Sequence, residues 1–213
     1  LGGDWTMSGE AAYNFIDATG SLDVLDAGGV LQPVPLPGAS SRVEEKRGES
    51  ILSFSRPLKD GLSLQLSGGA EFSQLGQDAG AGESRSFWRP KGSVALAWNP
   101  ASQWEMNLKL QRKVGQLNFF DFLASVDVVN NNANGSNPRL VPPQSWVLQL
   151  ETVRTLGGNG KIRLNLEAED VSDLVTQIPI SATAEAPGNL AKARRFQVTL
   201  ETSLLLDAIG IPG

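Results

Sequence analysis

The long segment 116–142 carries the side chains whose types could do recognition chemistry. Three phenylalanines stand beside an aspartate near its start, and a run of asparagines follows: Phe119, Phe120, Asp121, Phe122, Asn130, Asn131, Asn132 and Asn134. Aromatic rings stack on ligand faces while amides donate and accept hydrogen bonds, so the set suits a neutral or sugar-like ligand. The alternative is a packed aromatic cluster at a strand end, followed by a solvated loop tip of asparagines.

The composition excludes most catalytic machinery. The 213-residue chain has no His and no Cys, which rules out Ser-His-Asp and Cys-His catalysis, Cys/His zinc sites and disulfides. A net charge of −5 argues against nucleic acid as a partner. The glycine-rich segment 157–161 lacks residues that a phosphate-binding loop needs, and the asparagine run lacks the acidic ligands of an EF-hand. We therefore predict no catalytic residue, no metal site and no cofactor.

A strict alternation of polar and apolar residues dominates the rest of the chain. In the segment 161–169 every odd position is polar and every even position apolar, and the pattern recurs in 62–67 and 104–111. Period two sends alternate side chains of an extended chain to opposite faces. The pattern predicts nine strands, near residues 4–16, 21–28, 41–56, 62–76, 84–98, 103–116, 143–156, 161–178 and 191–206. The polar face should include Lys109, Gln111, Arg163, Asn165 and Glu167. The apolar face should include Leu62, Leu64, Leu66, Met106, Leu108, Leu110, Ile162, Leu164, Leu166, Val198 and Leu200.

The connections between these strands alternate in length. Short links are predicted at 17–20, 57–61, 99–102, 157–160 and 207–213, and longer irregular links at 30–38, 77–82, 116–142 and 179–190. Short links at one end and long links at the other are typical of outer-membrane β-barrels. Several predicted strands also reach about 14 residues, well beyond the length that soluble domains favour.

Aromatic residues recur at the spacing of a membrane-spanning band. Trp5 and Phe15 stand ten residues apart in one predicted strand, and Trp88 and Trp98 do so in another. Ten residues in a strand tilted by about 45° rise about 23 Å, close to the ~25 Å apolar band between two aromatic girdles. The apolar face would then meet lipid and the polar face a wet lumen. In a soluble sandwich the polar face would instead be the solvent face.

Residues 87–180 resemble part of the barrel of TonB-dependent outer-membrane receptors. The segment 88–100, WRPKGSVALAWNP, is similar to a strand followed by a short turn in that family. The segment 137–146, NPRLVPPQSW, resembles the family's Asn-Pro-x-Leu-x-Pro-Glu-x-Ser segment, which enters a strand from an extracellular loop. Pro143 stands where the family usually has Glu, which is typical of a divergent branch.

The resemblance implies an all-β, antiparallel up-and-down meander that forms part of a transmembrane barrel in the Gram-negative outer membrane. It implies a receptor that imports a scarce small-molecule nutrient, such as a siderophore, cobalamin or a saccharide, and that is no enzyme. Its partners would be outer-membrane lipid, the ligand and the inner-membrane TonB complex, which acts through a plug domain. Residues 1–213 would be an interior stretch of about nine barrel strands, because neither plug nor TonB box is recognisable in them.

Two other classes remain open from the sequence. One is a soluble all-β binding module of the carbohydrate-binding type. The other is a passive porin or autotransporter-type barrel, which shares the fold but not the energy coupling.

Overall fold

A computed structural model describes residues 2–35, 40–77, 83–123, 125–127, 132–156, 160–182 and 184–205. The strands are β1 (Asp4–Ala18), β2 (Leu22–Leu25), β3 (Leu31–Val34), β4 (Ser41–Lys59), β5 (Leu62–Gln77), β6 (Glu83–Ala101), β7 (Trp104–Val114), β8 (Ser125–Asp127), β9 (Asn132–Asn134), β10 (Gln144–Thr155), β11 (Gly160–Ser181) and β12 (Ala184–Leu204), with one 3-10 helix at Phe119–Phe122. Ten strands form one sheet in the order β1-β4-β5-β6-β7-β10-β11-β12-β9-β8, and β2 pairs with β3 alone. Among the described residues, no helix combines the length and the apolar character needed to cross a membrane.

The long strands form an up-and-down antiparallel meander, as the alternation predicts. One row of Cα partners on the apolar face passes through Leu64, Leu96, Leu108, Leu150, Leu166 and Val198. A neighbouring row on the other face passes through Ala95, Lys109, Gln149, Glu167 and Gln197. Because the register keeps the parity constant from strand to strand, every residue predicted for either face lies on that face.

The apolar face remains exposed in the described part of the chain. Trp88 is 73% exposed, Val198 71% and Phe196 76%. A β-sandwich would bury this face against a second sheet. Within the described residues, no second sheet covers the apolar face, so the sheet is open and is not half of a sandwich.

The short turns define the tilt of the strands. The row that begins at Leu62, the first residue of β5, meets Met106 two residues inside β7 and Leu164 four residues inside β11. The strand ends therefore shift by one residue per strand. With about 3.3 Å per residue and about 4.8 Å between strands, this stagger corresponds to a tilt of about 35°, which is within the range of outer-membrane barrels.

The predicted strand at 21–28 is not part of the meander. The β1–β4 ladder ends at the pair Ala18 and Ser41, so residues 19–40 form one excursion that contains the β2–β3 hairpin. The Asp26 carboxylate accepts hydrogen bonds from the backbone N–H groups of Gly28 at 2.8 Å and Val30 at 2.9 Å, which closes that hairpin locally. The link predicted at 17–20 is therefore the start of a long connection, and the prediction of a short turn there is wrong.

The prediction of a long irregular link at 179–190 is also wrong, because β11 and β12 continue through these residues. Pro179 pairs with Glu185, and Gln177 pairs with Pro187. Ser172 is the last residue of β11 that pairs with β10, so both prolines lie beyond β10, in the ribbon that β11 forms with β12. Proline lacks an N–H group but is tolerated at an edge, where that group would have no ladder partner.

Candidate ligand-binding site

The predicted polar-face residues lie on β7 and β11, with β10 between them. Glu167 accepts hydrogen bonds from Gln149 Nε2 at 2.6 Å and from Arg195 Nη2 at 2.5 Å. Arg163 contacts Glu201 at 3.5 Å. Lys109 and Glu167 occupy the same row of Cα partners, on either side of Gln149. Gln111 and Asn165 lie on the same face, in the two rows that flank this one. The face thus presents cations, carboxylates and amides side by side, as a water-filled passage would require.

A buried ionic cluster lies on the same face of β4, β5 and β6. Arg89 Nη2 donates to Glu71 Oε1 at 3.0 Å and to Ser73 Oγ at 2.6 Å. Lys91 Nζ donates to Glu71 Oε2 at 3.0 Å and also pairs with Glu49. Glu71 is 2% exposed and Arg89 4% exposed, so each charge depends on its partner to offset the loss of hydration.

Our reading of the sequence missed this cluster, although a signal for it exists. Glu71 and Arg89 have the parity of the polar face and stand at equal distances from residue 80, the middle of the β5–β6 connection. A hairpin centred there makes them direct Cα partners, as observed. Opposite charges at partner positions of a predicted hairpin therefore predict an ion pair between its two strands.

The β7–β10 connection is residues 115–143, and its described parts at 115–123 and 135–143 fold over the polar face at the end of the sheet that carries the long loops. Phe122 and Leu140 are fully buried and pack with Val43 of β4 and Leu75 of β5. Leu117 of the same connection lies over the buried ionic cluster. The connection therefore covers Arg89 and Glu71 and contributes its own apolar core.

Side chains of the sheet hold the first part of this connection in place. Gln77 Nε2 donates to the backbone carbonyl of Phe122 at 2.8 Å, and Arg85 Nη1 donates to that of Leu140 at 3.1 Å. Both donors come from strands β5 and β6. Buried carbonyls need such partners, so these bonds fix the path of the connection as well as stabilising it.

Two asparagines attach the second part of the connection to the β11–β12 ribbon. The Asn189 amide accepts from the Val141 N–H at 2.9 Å and donates to the carbonyls of Val141 at 2.8 Å and Asp173 at 2.7 Å. Asn137 Nδ2 donates to the carbonyl of Pro187 at 2.8 Å. Asp173 adopts a positive φ of 58°, which a non-glycine residue tolerates only where its surroundings hold it.

The predicted aromatic contacts separate into two groups. The 3-10 helix begins after Asn118, whose side-chain oxygen accepts from the Phe120 N–H at 3.1 Å. Phe122 and, in part, Phe119 turn into the core, whereas Phe120 is 65% exposed. Asp121 lies between them, and burial raises the pKa of its carboxyl above the ordinary value. Phe120 is thus the one of the three rings that is free to meet a ligand.

The described residues include only part of the asparagine run. Asn130 and Asn131 lie outside the described residues. Asn132 and Asn134 end the short strand β9, which pairs antiparallel with β8 and parallel with β12 through Asn134 and Glu185. The backbone of this part is therefore a strand attached to the ribbon.

Two solved structures have a similar fold. The FrpB iron transporter from Neisseria meningitidis (F3-3 variant) matches with a TM-score of 0.53 and 9% identity, over 77% of this chain and 24% of that chain. The alcaligin outer-membrane receptor FauA from Bordetella pertussis matches with a TM-score of 0.53 and 14% identity, over 96% of this chain and 37% of that chain.

The matched regions span 24% and 37% of the length of these two proteins. No protein-family model matches its sequence, and no curated protein does. Both similar structures are TonB-dependent outer-membrane receptors. The chain has the fold of a stretch of their transmembrane β-barrel, which confirms the resemblance predicted from residues 87–180.

Proposed function

We propose that this chain is part of an outer-membrane receptor that imports a scarce nutrient with energy delivered by the inner-membrane TonB complex. The observation that carries the proposal is the apolar face, which stays in register from β1 to β12 while the opposite face is charged. A face of this kind suits the lipid of a Gram-negative outer membrane.

The borders of the apolar face support a membrane-spanning orientation. On β7 and β10, Arg112 lies over the ring of Trp146 at 5.7 Å, and Arg154 lies over the ring of Trp104 at 5.1 Å. The two pairs are eight residues apart along each strand. At about 3.3 Å per residue and a tilt of about 35°, they bound a band about 22 Å high, close to the ~25 Å of outer-membrane barrels.

We propose that the ligand contacts the β7–β10 connection. Its anchored parts leave the Phe120 ring exposed, and the asparagine run follows in the chain. An exposed ring near amides suits a small molecule with sugar-like or amide groups. The two similar structures are an iron transporter and an alcaligin receptor, so an iron-carrying ligand is the first candidate to test.

The role is transport rather than catalysis. The charged face suits the passage of a ligand, and the loop residues suit its recognition. The plug domain that connects the barrel to the TonB complex would belong to another part of the full-length chain. Residues 1–213 would then supply part of the barrel wall and one ligand-binding loop.

Uptake measured with and without the proton gradient tests the proposal. Cells that carry the full-length protein should accumulate the ligand only while the gradient is intact, because a TonB complex without energy cannot open the passage. A matched strain that lacks the TonB complex should behave like the de-energised cells. Uptake that ignores both changes would instead assign the protein to the passive porins.

A further inference from the structure

A groove opens on the apolar face where two neighbouring strands lack side chains. Gly92 of β6 has Gly68 of β5 as its Cα partner on one side and Arg112 of β7 on the other. The bare backbone at the two glycines leaves a groove of about 410 Å³. Its lining on this face includes Pro90, Gly92, Val94, Leu110, Arg112 and Trp146.

Arg112 places a positive charge at one end of this groove, and no carboxylate among the described residues forms an ion pair with it. Its Nη2 donates to the neutral amide of Gln144 at 2.6 Å. Its Nε is buried and has no hydrogen-bond partner within the described residues. By contrast, Arg194 on the same face is paired with Asp170 at 2.9 Å. The Nε atoms of Arg56, Arg89 and Arg163 are also buried without a partner in the described part of the chain, so what distinguishes Arg112 is its charge, which has an amide partner and can bind an anion from outside the chain.

The groove follows the depth profile of a lipid. Arg112 and Trp146 stand at the border of the apolar band, on the side of the long loops. Val94 and Leu110 lie nearer its middle, next to the leucine row that contains Leu108. A headgroup at Arg112 would therefore lie at the membrane interface, and a chain along Val94 and Leu110 would point into the hydrocarbon.

We infer that this groove binds one membrane lipid, with an acyl chain against Val94 and Leu110 and a phosphate on the guanidinium of Arg112. The inference rests on the proposed membrane-spanning barrel. An arginine fork matches phosphate oxygens in two-point contacts, and the ring of Trp146 holds the fork in place. The exposed Lys192, further along β12, adds positive charge beyond the same border.

Native mass spectrometry of the purified full-length protein tests the site. The protein in detergent is titrated with dioleoyl phosphatidic acid, with dioleoylglycerol, which has the same chains but no phosphate, and with inorganic phosphate. Phosphatidic acid should bind tightest, and Arg112→Gln should weaken it about tenfold, because a charge-assisted pair is lost. Arg112→Lys should bind with intermediate affinity, because it keeps the charge but loses the fork.

Arg154→Gln is the matched control. It removes the equivalent contact, in which Arg154 lies over the ring of Trp104, between the same two strands but at the opposite border of the band. Phosphatidic acid binding should stay within about twofold of the parent protein. An equal loss in both variants would reduce the site to a general attraction between lipids and interfacial arginines, which overturns it.

The other outcomes are equally decisive. Equal binding of dioleoylglycerol and phosphatidic acid would show that the phosphate does not contribute to binding. Competition by inorganic phosphate at the same concentration as the lipid would show that the groove does not contribute. If the lipid-free protein forms dimers and Arg112→Gln lowers their affinity, the surface binds a second copy of the chain instead of a lipid. Loss of the full-length protein from alkali-washed membranes would refute the proposed barrel, whereas a membrane-bound protein that binds lipid unaltered by Arg112→Gln would refute this inference alone.

Discussion

Leu108 is the position at which a charge tests the membrane orientation of the sheet most directly. It lies four residues from Trp104 and four from Arg112, the two border residues of its strand. At about 3.3 Å per residue and a tilt of about 35°, each border is about 11 Å away along the membrane normal. Its two Cα partners are Leu96 and Leu150, so neither neighbouring side chain can solvate an added guanidinium. Leu108→Arg should therefore cost about 2–4 kcal/mol of unfolding free energy.

Two controls separate membrane depth from general disturbance of the strand. Asn107→Arg places the same side chain one residue away but on the polar face, where water can solvate it, and should cost about 0–1 kcal/mol. Met106→Arg stays on the apolar face but beside its Cα partner Trp98, near the border of the short turns. The expected cost there is also about 0–1 kcal/mol, because the charge reaches the interface.

The assay is reversible denaturant unfolding of the full-length barrel in lipid vesicles, followed by tryptophan fluorescence. The decisive quantity is the difference in unfolding free energy between each variant and the parent. A cost for Leu108→Arg no larger than that for Asn107→Arg would mean that the apolar face does not contact hydrocarbon. Equal costs for Leu108→Arg and Met106→Arg would contradict the depth assignment while leaving the membrane orientation intact.

Three further predictions address the site. Glu71→Gln should lower the free energy of unfolding by about 3–5 kcal/mol in the same assay, because it leaves Arg89 buried without its counter-charge. The control Glu10→Gln removes the partner of Arg47 from an exposed pair and should lower it by about 0–1 kcal/mol. Equal costs would refute the structural role of the cluster. Deletion of residues 130–134 should weaken equilibrium ligand binding more than it lowers the free energy of unfolding, because loop segments carry specificity more often than core contacts; unchanged binding would remove the asparagine run from the site. Burial raises the pKa of Asp121, so the folded connection binds its proton more tightly than the unfolded one, and stability should fall as the pH rises from about 4 through the raised pKa. Hydrogen exchange of the backbone at 119–123 should show that decline in the parent protein and not in Asp121→Asn, and an equal decline in both would assign the pH dependence to another group.

The two faces of the sheet could be predicted because they depend on local information alone. Alternation along one strand determines its two faces, and the apolar residues of each strand show which face it shares with its neighbours, even across the long β7–β10 connection. This is why Leu64 and Val198, more than 130 residues apart, lie in one row. The segment LDVL at 22–25 also alternates, so it was assigned as a strand correctly but placed in the wrong sheet.

The path of the β7–β10 connection could not be predicted, because nothing in its own sequence has a period. The burial of Phe122 depends on Val43 and Leu75, which lie far away in the chain and come together only through the sheet register. Phe120 and Phe122 therefore look equivalent in sequence, although one is exposed and the other buried. Asn137 shows the same limit, because it was predicted as part of the segment 137–146 and nothing in that segment indicates that its amide would bond the carbonyl of Pro187.

The anchoring of the connection divides it into parts with different tolerance to sequence change. Phe122 and Leu140 are buried on either side of residues 124–134, and Gln77, Arg85 and Asn189 hold the backbone near both. Substitutions at these anchors expose apolar surface and leave buried carbonyls without donors, so they alter stability first. Substitutions between the anchors change the groups offered to a ligand while the buried contacts remain. On the proposed function, residues 124–134 could therefore vary with the ligand while the cover over Glu71 and Arg89 stays intact.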